Sequence, residues 1–466
     1  MDLTSSVAWR YHQATNHSVQ SVRASTHYLD WTNQPRPYKR YAAPLPSLAL
    51  PSEPASNTFD AALLRDLLQL SAGITRYLAF PGGRMAFRAA ACTGALYHID
   101  LYVVCAGLPG VPAGVYHFDV ERVALTRLRE GDFRAVLVDA TAGDERVRDA
   151  PATIVATSTW WRNSWKYQSR TYRHAFWDSG TILANLLAVA EARGLPAAVR
   201  LGFVDAAVNA LIDVDPAREA ALELVPLGAG GPSPEAPPPV PRLDLPIQAY
   251  SFHEVDYPLI REVHQATSLA GPDEVRAFRQ GSAPAQPAVV PAVEAVIRRR
   301  GSARRFGRTS IPRATLEAML ANAAVPPDSD WGAPVSRPYV IVNAVDGLDS
   351  GAYVYEGGAL QPLRLGDYRV IAGHLDLDQE LAKDAAVNIY MLADLGAVIG
   401  RLGERGYRAA QLDASLTAGK LYLWAYGSGI AATGLTFYDD EVTDFFSPHA
   451  EGTSVMFLLA AGNKPA

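Results

Sequence analysis

Cysteine is nearly absent from this chain of 466 residues: only Cys92 and Cys105 occur, without a Cys-x-x-Cys pair. That excludes a secreted disulfide framework and makes a reducing cytoplasm the expected compartment. The ten histidines show no His-Glu-x-x-His or Cys/His spacing, so no metal site is expected. No apolar run reaches membrane-spanning length and no amino-terminal signal pattern is seen, so no membrane partner is expected. A basic excess is also missing. Lys and Arg number 42 against 48 Asp and Glu, a formal net charge of −6, which argues against nucleic acid as a partner. What remains is a globular composition, 49% hydrophobic and 19% charged. The chain is too long for one ordinary core, so two domains are the natural expectation.

The sequence is internally repeated. His12-Gln13-Ala14-Thr15 recurs as His264-Gln265-Ala266-Thr267, an offset of 264 − 12 = 252. Gly114-Val115-Tyr116 recurs as Gly351-Ala352-Tyr353 at 351 − 114 = 237. Gly131-Asp132-Phe133-Arg134 recurs as Gly366-Asp367-Tyr368-Arg369 at 366 − 131 = 235. The last offset continues without a gap: Arg170, Tyr172, Arg173, Ala175, Asp178, Leu186 and Gly194 face Arg405, Tyr407, Arg408, Ala410, Asp413, Leu421 and Gly429. Chance does not keep so many identities in one order. We read an amino-terminal copy over 1–227, a Pro/Gly-rich linker over 228–246 and a carboxy-terminal copy over 247–466.

Each copy carries the same coarse pattern. Helices are expected at Phe59–Leu70 and Arg313–Ala323, buried strands at Ile99–Cys105 and Tyr339–Asn343, and a Gly-x-Tyr strand after each. Long helices follow at Tyr172–Arg193 and Tyr407–Tyr426, each ended by a glycine (Gly194, Gly429) suited to left-handed geometry. Last strands are expected at Ala197–Phe203 and Gly434–Tyr438. Without regular βαβ alternation, the fold class is α+β, two tandem sandwich domains forming an intramolecular pseudo-dimer.

The copies differ where chemistry is expected. The basic run around Arg300-Gly301-Ser302-Ala303-Arg304 sets two guanidinium groups beside a hydroxyl and a glycine, the donor set a phosphomonoester requires. At the offset of 252 the other copy has Leu48, Leu50 and Ser52, so the cradle occurs once. Conversely, the small-residue stretch Thr93-Gly94-Ala95 has no like pattern at Asp330–Pro334, the region opposite at offset 237. Lys166-Tyr167 faces Arg401-Leu402 and also occurs once. One composite site, drawing on both copies, explains this division.

These motifs resemble the flavin-dependent nitroreductase superfamily, and within it the SagB/ThcOx-like azoline dehydrogenase branch in tandem-domain form. The resemblance implies one FMN per chain. Arg300, Ser302 and Arg304 match the family's phosphate motif, and Thr93-Gly94-Ala95 resembles its small-residue loop, although Ala91-Cys92-Thr93 stands where the family form begins Pro-Ser. Gly427-Ser428-Gly429-Ile430-Ala431 looks like the segment whose backbone approaches the flavin ring, and Lys464 is the candidate for a further basic phosphate ligand. Trp165-Lys166-Tyr167 followed by Arg170-x-Tyr172-Arg173 is the branch marker, and it implies proton chemistry by Lys166 and Tyr167.

The residues themselves bear on that chemistry. A lysine acts as a base only if burial or a nearby cation lowers its pKa, and Arg162, Arg170 and Arg173 are the sequence neighbours that can supply one. Trp160, Trp161 and Trp165 are read either as a substrate pocket or as core. The run Tyr28–Pro37 is read as an arm embracing the other half. The implied activity is FMN-dependent oxidation of an azoline-like heterocycle, small or borne on a peptide. The alternatives are an NAD(P)H-dependent nitro- or quinone reductase and a non-catalytic, peptide-binding descendant of a flavoenzyme. Further homo-oligomerisation is left open.

Overall fold

The computed structural model describes residues 3–53, 58–81, 83–236, 238–281 and 288–465. It divides into two compact units. The first comprises Leu29–Ala285 and Pro327–Gly332; the second comprises Met1–Tyr28, Gln286–Pro326 and Ala333–Ala466.

The first unit is built on a six-stranded antiparallel sheet in the order β1-β6-β5-β4-β7-β8. The strands are β1 (Ser47–Ala49), β4 (Ile99–Cys105), β5 (Gly114–Asp119), β6 (Ala124–Glu130), β7 (Ala152–Thr159) and β8 (Glu219–Leu227). A separate hairpin pairs β2 (Ile74–Phe80) with β3 (Gly83–Arg88). β4, β7 and β8 are buried along their whole length, which is why they read as near-continuous apolar runs rather than alternating ones. One cluster in the core gathers Tyr102, Val104 and Val115 from the sheet with Leu137, Phe203 and Leu211. The long helix Thr171–Ala192 is buried on nearly every face over its first four turns.

The second unit repeats this plan with β9 (Arg337–Val342), β10 (Gly351–Glu356), β11 (Ala359–Leu365), β12 (Val387–Ala393), β13 (Ala431–Gly434) and β14 (Ser454–Gly462). Its order is β11-β10-β9-β12-β14-β13, again antiparallel throughout. Its long helix is Gly406–Gly427, displaced from Thr171–Ala192 by 406 − 171 = 235. The α+β class and the tandem arrangement of two like domains are therefore what the chain adopts.

The border between the copies in sequence is not the border in space. Helix Val7–Ala14 lies in the second unit, where the His12 ring stands edge-on to Tyr407, with Nδ1 3.3 Å from the Tyr407 hydroxyl. Helix Pro258–Ala266 lies in the first unit, where His264 meets the Tyr172 ring and the Thr267 hydroxyl is 2.6 Å from the Tyr172 hydroxyl. The repeated His-Gln-Ala-Thr motif is thus a docking device. Each copy's leading helix seats its imidazole face on the other copy's tyrosine. Residues 1–28 and 247–285 consequently change sides relative to a cut at 228–246. That linker holds neither helix nor strand among the described residues, and the first unit ties it down. Gly231 donates to the Asp149 carbonyl, and Leu243 and Leu245 donate to Asp213.

Two expected strands need correction. Ala197–Phe203 makes only isolated bridges, Ala197 with Leu227 and Arg200 with Leu224 on the sheet side and Val199 with Ser329 on the other. In the second unit the equivalent strand is β13, which ends at Gly434 where the expected strand begins. Both segments run along a sheet edge, where one partner strand suffices and the backbone is free to leave the ladder. The arm also differs from expectation. From Leu29 it belongs to the first unit, where the Asp30 carbonyl accepts from the Trp165 indole at 3.1 Å.

Candidate functional site

The basic motif begins where a helix stops. Helix Val293–Arg299 ends at Arg300, whose amide donates to the Val296 carbonyl while its backbone turns extended (φ −57°, ψ 141°). From there the chain is stitched to the glycine loop after the second long helix. Ala303 donates to the Ala432 carbonyl at 3.0 Å, and Arg299 Nη2 donates to the Tyr426 carbonyl at 2.7 Å. The Tyr426 hydroxyl sits at the backbone of both Gly301 and Ala432, and the Arg300 guanidinium lies 5.6 Å from the centre of the Tyr422 ring. Gly429 takes φ +80°, and a Cβ built on it meets nothing within 4 Å; left-handed geometry rather than crowding calls for glycine there. Gly427 closes the helix, and Ile430 donates back to the Ala425 carbonyl at 2.8 Å.

The carboxy-terminal segment joins this cluster. Gly307 donates to the Asn463 carbonyl at 2.8 Å, and a Cβ on Gly307 would approach the Lys464 carbonyl to 3.2 Å. Asn463 also donates to Ser310. Lys464 is therefore placed beside the loop that follows the motif. Three stretches expected to hold one cofactor, namely Arg300–Arg304, Gly427–Ala431 and Lys464, converge within a single unit.

Nearby charges are already neutralised, Arg298 by Glu294 at 2.9 Å and Arg308 by Asp384 at 2.6 Å. By contrast, Ser302, Arg304 and Lys464 are exposed and have no hydrogen-bond or ion-pair partner among the described residues. Unpaired cations and a hydroxyl beside a glycine turn fit the phosphate of a flavin mononucleotide. The first copy does not. Leu48 lies in β1 opposite Leu125, so an edge strand occupies the positions facing the cradle in the repeat.

The second group of candidates lies in the first unit. Thr93–Ala95 forms one tight turn with Gly94 at φ 63°. The turn is pinned by Asp178 of the long helix: the Thr93 amide and hydroxyl donate to Oδ1 at 2.8 and 2.7 Å, and the Cys92 thiol donates to Oδ2 at 3.0 Å. His98 Nε2 is 2.9 Å from the same oxygen, and its other ring nitrogen is 2.8 Å from Ser158. Tyr167 stands directly over the turn, since a Cβ on Gly94 would lie 2.8 Å from its hydroxyl. Lys166 extends over the face of Tyr167, its Nζ 5.3 Å from the ring centre. The His174 ring is edge-on to Tyr167 at 4.5 Å and bonds Asn163 at 2.9 Å. The small-residue loop and the Lys-Tyr pair, read separately from the sequence, are one constellation.

Its electrostatics favour a neutral phenol. Burial, followed by the charge of Asp178, pushes the Tyr167 pKa upward, so Tyr167 acts as a hydrogen-bond donor at neutral pH. Burial and then Asp178 push the Cys92 thiol well above its ordinary range, which makes it a donor to the network rather than a nucleophile. Arg162, one of the expected neighbouring cations, is paired in the core with Asp100 at 2.7 Å. The tryptophans resolve as core. Trp161 and Trp165 cluster with Leu96 and Tyr250, and the three indoles donate to Ser251, the Asp30 carbonyl and the Pro216 carbonyl.

Sequence reasoning missed the role of Asp178 and His98. The signal was present, because Asp178 and Asp413 are a repeat pair. Asp413 accepts from the Ser336 amide and hydroxyl at 3.0 and 2.6 Å, as Asp178 does from Thr93. Ser336, at 336 − 93 = 243, is therefore the true counterpart of Thr93. The expected counterpart, Asp330–Pro334, is displaced because the loop lengths of the two copies differ.

Family comparison decides the class. The model of the nitroreductase family matches twice, over residues 61–229 and 297–460. The chain belongs to the nitroreductase family. A crystal structure of a protein provisionally named a nitroreductase, from Anabaena variabilis, is 25% identical and superposes with a TM-score of 0.84, covering 99% of this chain and all of that one. A protein of Methanocaldococcus jannaschii, also provisionally named a nitroreductase, is 24% identical over 142 residues, 30% of this chain and 70% of its own. The Escherichia coli microcin synthetase McbBCD complex with truncated pro-MccB17 matches 47% of this chain at 21% identity and a TM-score of 0.32. That likeness is too partial to bear on function.

Proposed function

We propose that this nitroreductase-family protein is an FMN-dependent oxidoreductase that dehydrogenates an azoline-like heterocycle, free or carried on a peptide. The observation that carries the reading is Tyr167 set over the Gly94 turn with Lys166 across its ring in one copy, while in the other Ser302 and Arg304 are exposed without a partner among the described residues and Lys464 lies beside Gly307. Arg300, Ser302, Arg304 and Lys464 hold the cofactor phosphate. The backbones of Thr93-Gly94-Ala95 and of Gly427, Gly429, Ile430 and Ala431 supply close approach to a flat ring. Bound FMN supplies the hydride acceptor. Lys166 removes the carbon-bound proton of the substrate, and Tyr167, kept neutral, donates to its ring heteroatom. Asp178 keeps the turn and the phenol in register.

The test is spectroscopic and kinetic. The purified protein should take up about one FMN per chain, and Lys166→Ala should keep it while losing turnover of thiazoline-type substrates by about 100-fold or more. Unchanged turnover would remove Lys166 as the base. Rapid anaerobic bleaching of the flavin by NADPH, with no azoline oxidation, would instead establish a nitro- or quinone reductase. Failure to bind FMN at all would leave the non-catalytic reading.

A further inference from the structure

A second polar site lies in the first unit, made by residues that neither the cradle nor the Tyr167 constellation uses. Here the segment Asp328–Asp330 runs parallel to the edge segment that holds Arg200, with Ser329 bridging Val199, and a crevice of about 230 Å³ opens beside them. Three guanidinium groups line it: Arg146, Arg200 and Arg279. Its carboxylates are already well supplied with donors. Asp328 takes Arg200 at 3.1 Å on one oxygen and Arg146 at 2.9 Å on the other. Asp144 takes Arg200 at 3.0 Å and the Val147 amide at 3.2 Å. Asp330 takes the Leu201 amide at 2.9 Å and the Gly202 amide at 2.7 Å.

The donors are not similarly matched. Arg279 donates through Nη2 to the Thr141 carbonyl, but its Nε, 3.7 Å from Asp144, is buried without a hydrogen-bond partner among the described residues. The Ser329 side chain, only 2% exposed, lines the same crevice, and its hydroxyl has no partner among the described residues. A buried hydroxyl left without a partner is costly, so such groups normally face a ligand or ordered water. Two buried donors without a hydrogen bond, Arg279 Nε and the Ser329 hydroxyl, beside carboxylates already bonded, select an acceptor-rich anion over a cation.

We propose that this crevice binds a small oxyanion, a phosphate or a short carboxylate, through Arg146, Arg279 and the Ser329 hydroxyl. The space is room for several waters' worth of ligand, too little for a nucleotide.

Calorimetric titration of the full-length chain with inorganic phosphate and, separately, with malonate tests this. Arg146→Gln should weaken binding about tenfold, as loss of a charge-assisted contact implies, and Ser329→Ala by about fivefold. Arg304→Ala, in the other anion site, should remove only the heat the cradle contributes and leave the heat that Ser329→Ala weakens. Heat with phosphate alone would assign a phosphate-type ligand, and heat with malonate as well would assign a site that accepts carboxylates. Binding lost in Arg304→Ala but kept in Ser329→Ala would place the anion in the cradle and overturn the proposal. No heat with either anion up to about 20 mM, weaker than any useful site, would also overturn it. Should Arg146→Gln prove unfolded by circular dichroism, Ser329→Ala decides alone, since it removes one hydroxyl and no ion pair.

Discussion

Gly94 concentrates the argument at the scale of single residues. It holds φ +63°, and any Cβ there would press to 2.8 Å from the Tyr167 hydroxyl. Gly94→Ala should therefore combine left-handed strain of about 1–2 kcal/mol with displacement of the phenol. We expect turnover to fall at least tenfold and FMN titration to show weaker binding, because the same turn brings backbone to the flavin ring. Asp178 tests the same constellation from below. Asp178→Asn keeps the shape but changes two acceptor oxygens into an acceptor and a donor, which leaves the Cys92 thiol or His98 facing an N–H. Melting should drop by an amount corresponding to about 1–3 kcal/mol, and the pH–rate profile should move as well, a change that a purely structural residue would not produce. For the cradle, Arg304→Ala and Lys464→Ala should each weaken FMN about tenfold, and the double variant more, read by quenching of flavin fluorescence. Much of this was legible in advance, because small, basic and glycine residues declare themselves by type. Asp178 did not. An aspartate inside a long helix is unremarkable until the loop it pins is seen.

Among the elements, the two long helices invite comparison because they are the same object folded twice. Asn185 of the first donates to the Leu70 carbonyl at 3.1 Å, just at the end of helix Ala61–Ser71. Its repeat partner is Lys420, which donates to the Val325 carbonyl just beyond helix Arg313–Ala323. The same task is performed in one copy by an amide and in the other by a half-buried ammonium. Burial pulls Lys420 down to about 8 from 10.5, against a smaller opposing effect of Asp413. Between those values the unfolded chain holds a proton that the folded chain has released, so stability rises with pH across the window. Below it, the folded state bears a penalty of about 3 kcal/mol. Lys420→Asn, which copies the first helix, should flatten the rise in melting temperature between pH 8 and 10 and raise it at pH 7. A steeper pH dependence in the variant would contradict the assignment. Helix positions were readable from apolar spacing and from the glycines that end them. The edge strands were not, since one-sided pairing leaves little periodic signature.

For the whole molecule, the exchanged helices matter most. Residues 1–28 belong to the unit that contains the Arg300–Arg304 cradle, seated through His12 on Tyr407. Removing them strips that unit of a packed helix while leaving the other unit's helices in place. The truncated protein should therefore lose FMN affinity and show an earlier melting transition, although residues 1–28 include none of the proposed ligands. Calorimetry with and without FMN would show it, and an unchanged transition would contradict the exchange.

From sequence alone came the duplication, the α+β class, the loss of the cradle from one copy and nearly every candidate ligand. These follow from residue identity and order, which a linear chain displays directly. Tertiary structure alone decided which copy each leading helix serves. It also decided that Thr93, Gly94, Asp178 and Tyr167 form one constellation, and that Ser336 rather than Asp330–Pro334 answers to Thr93. The physical reason is common to all three. Contacts between residues far apart in the chain depend on loop lengths and on which buried polar group finds a partner, and neither leaves a local pattern to read.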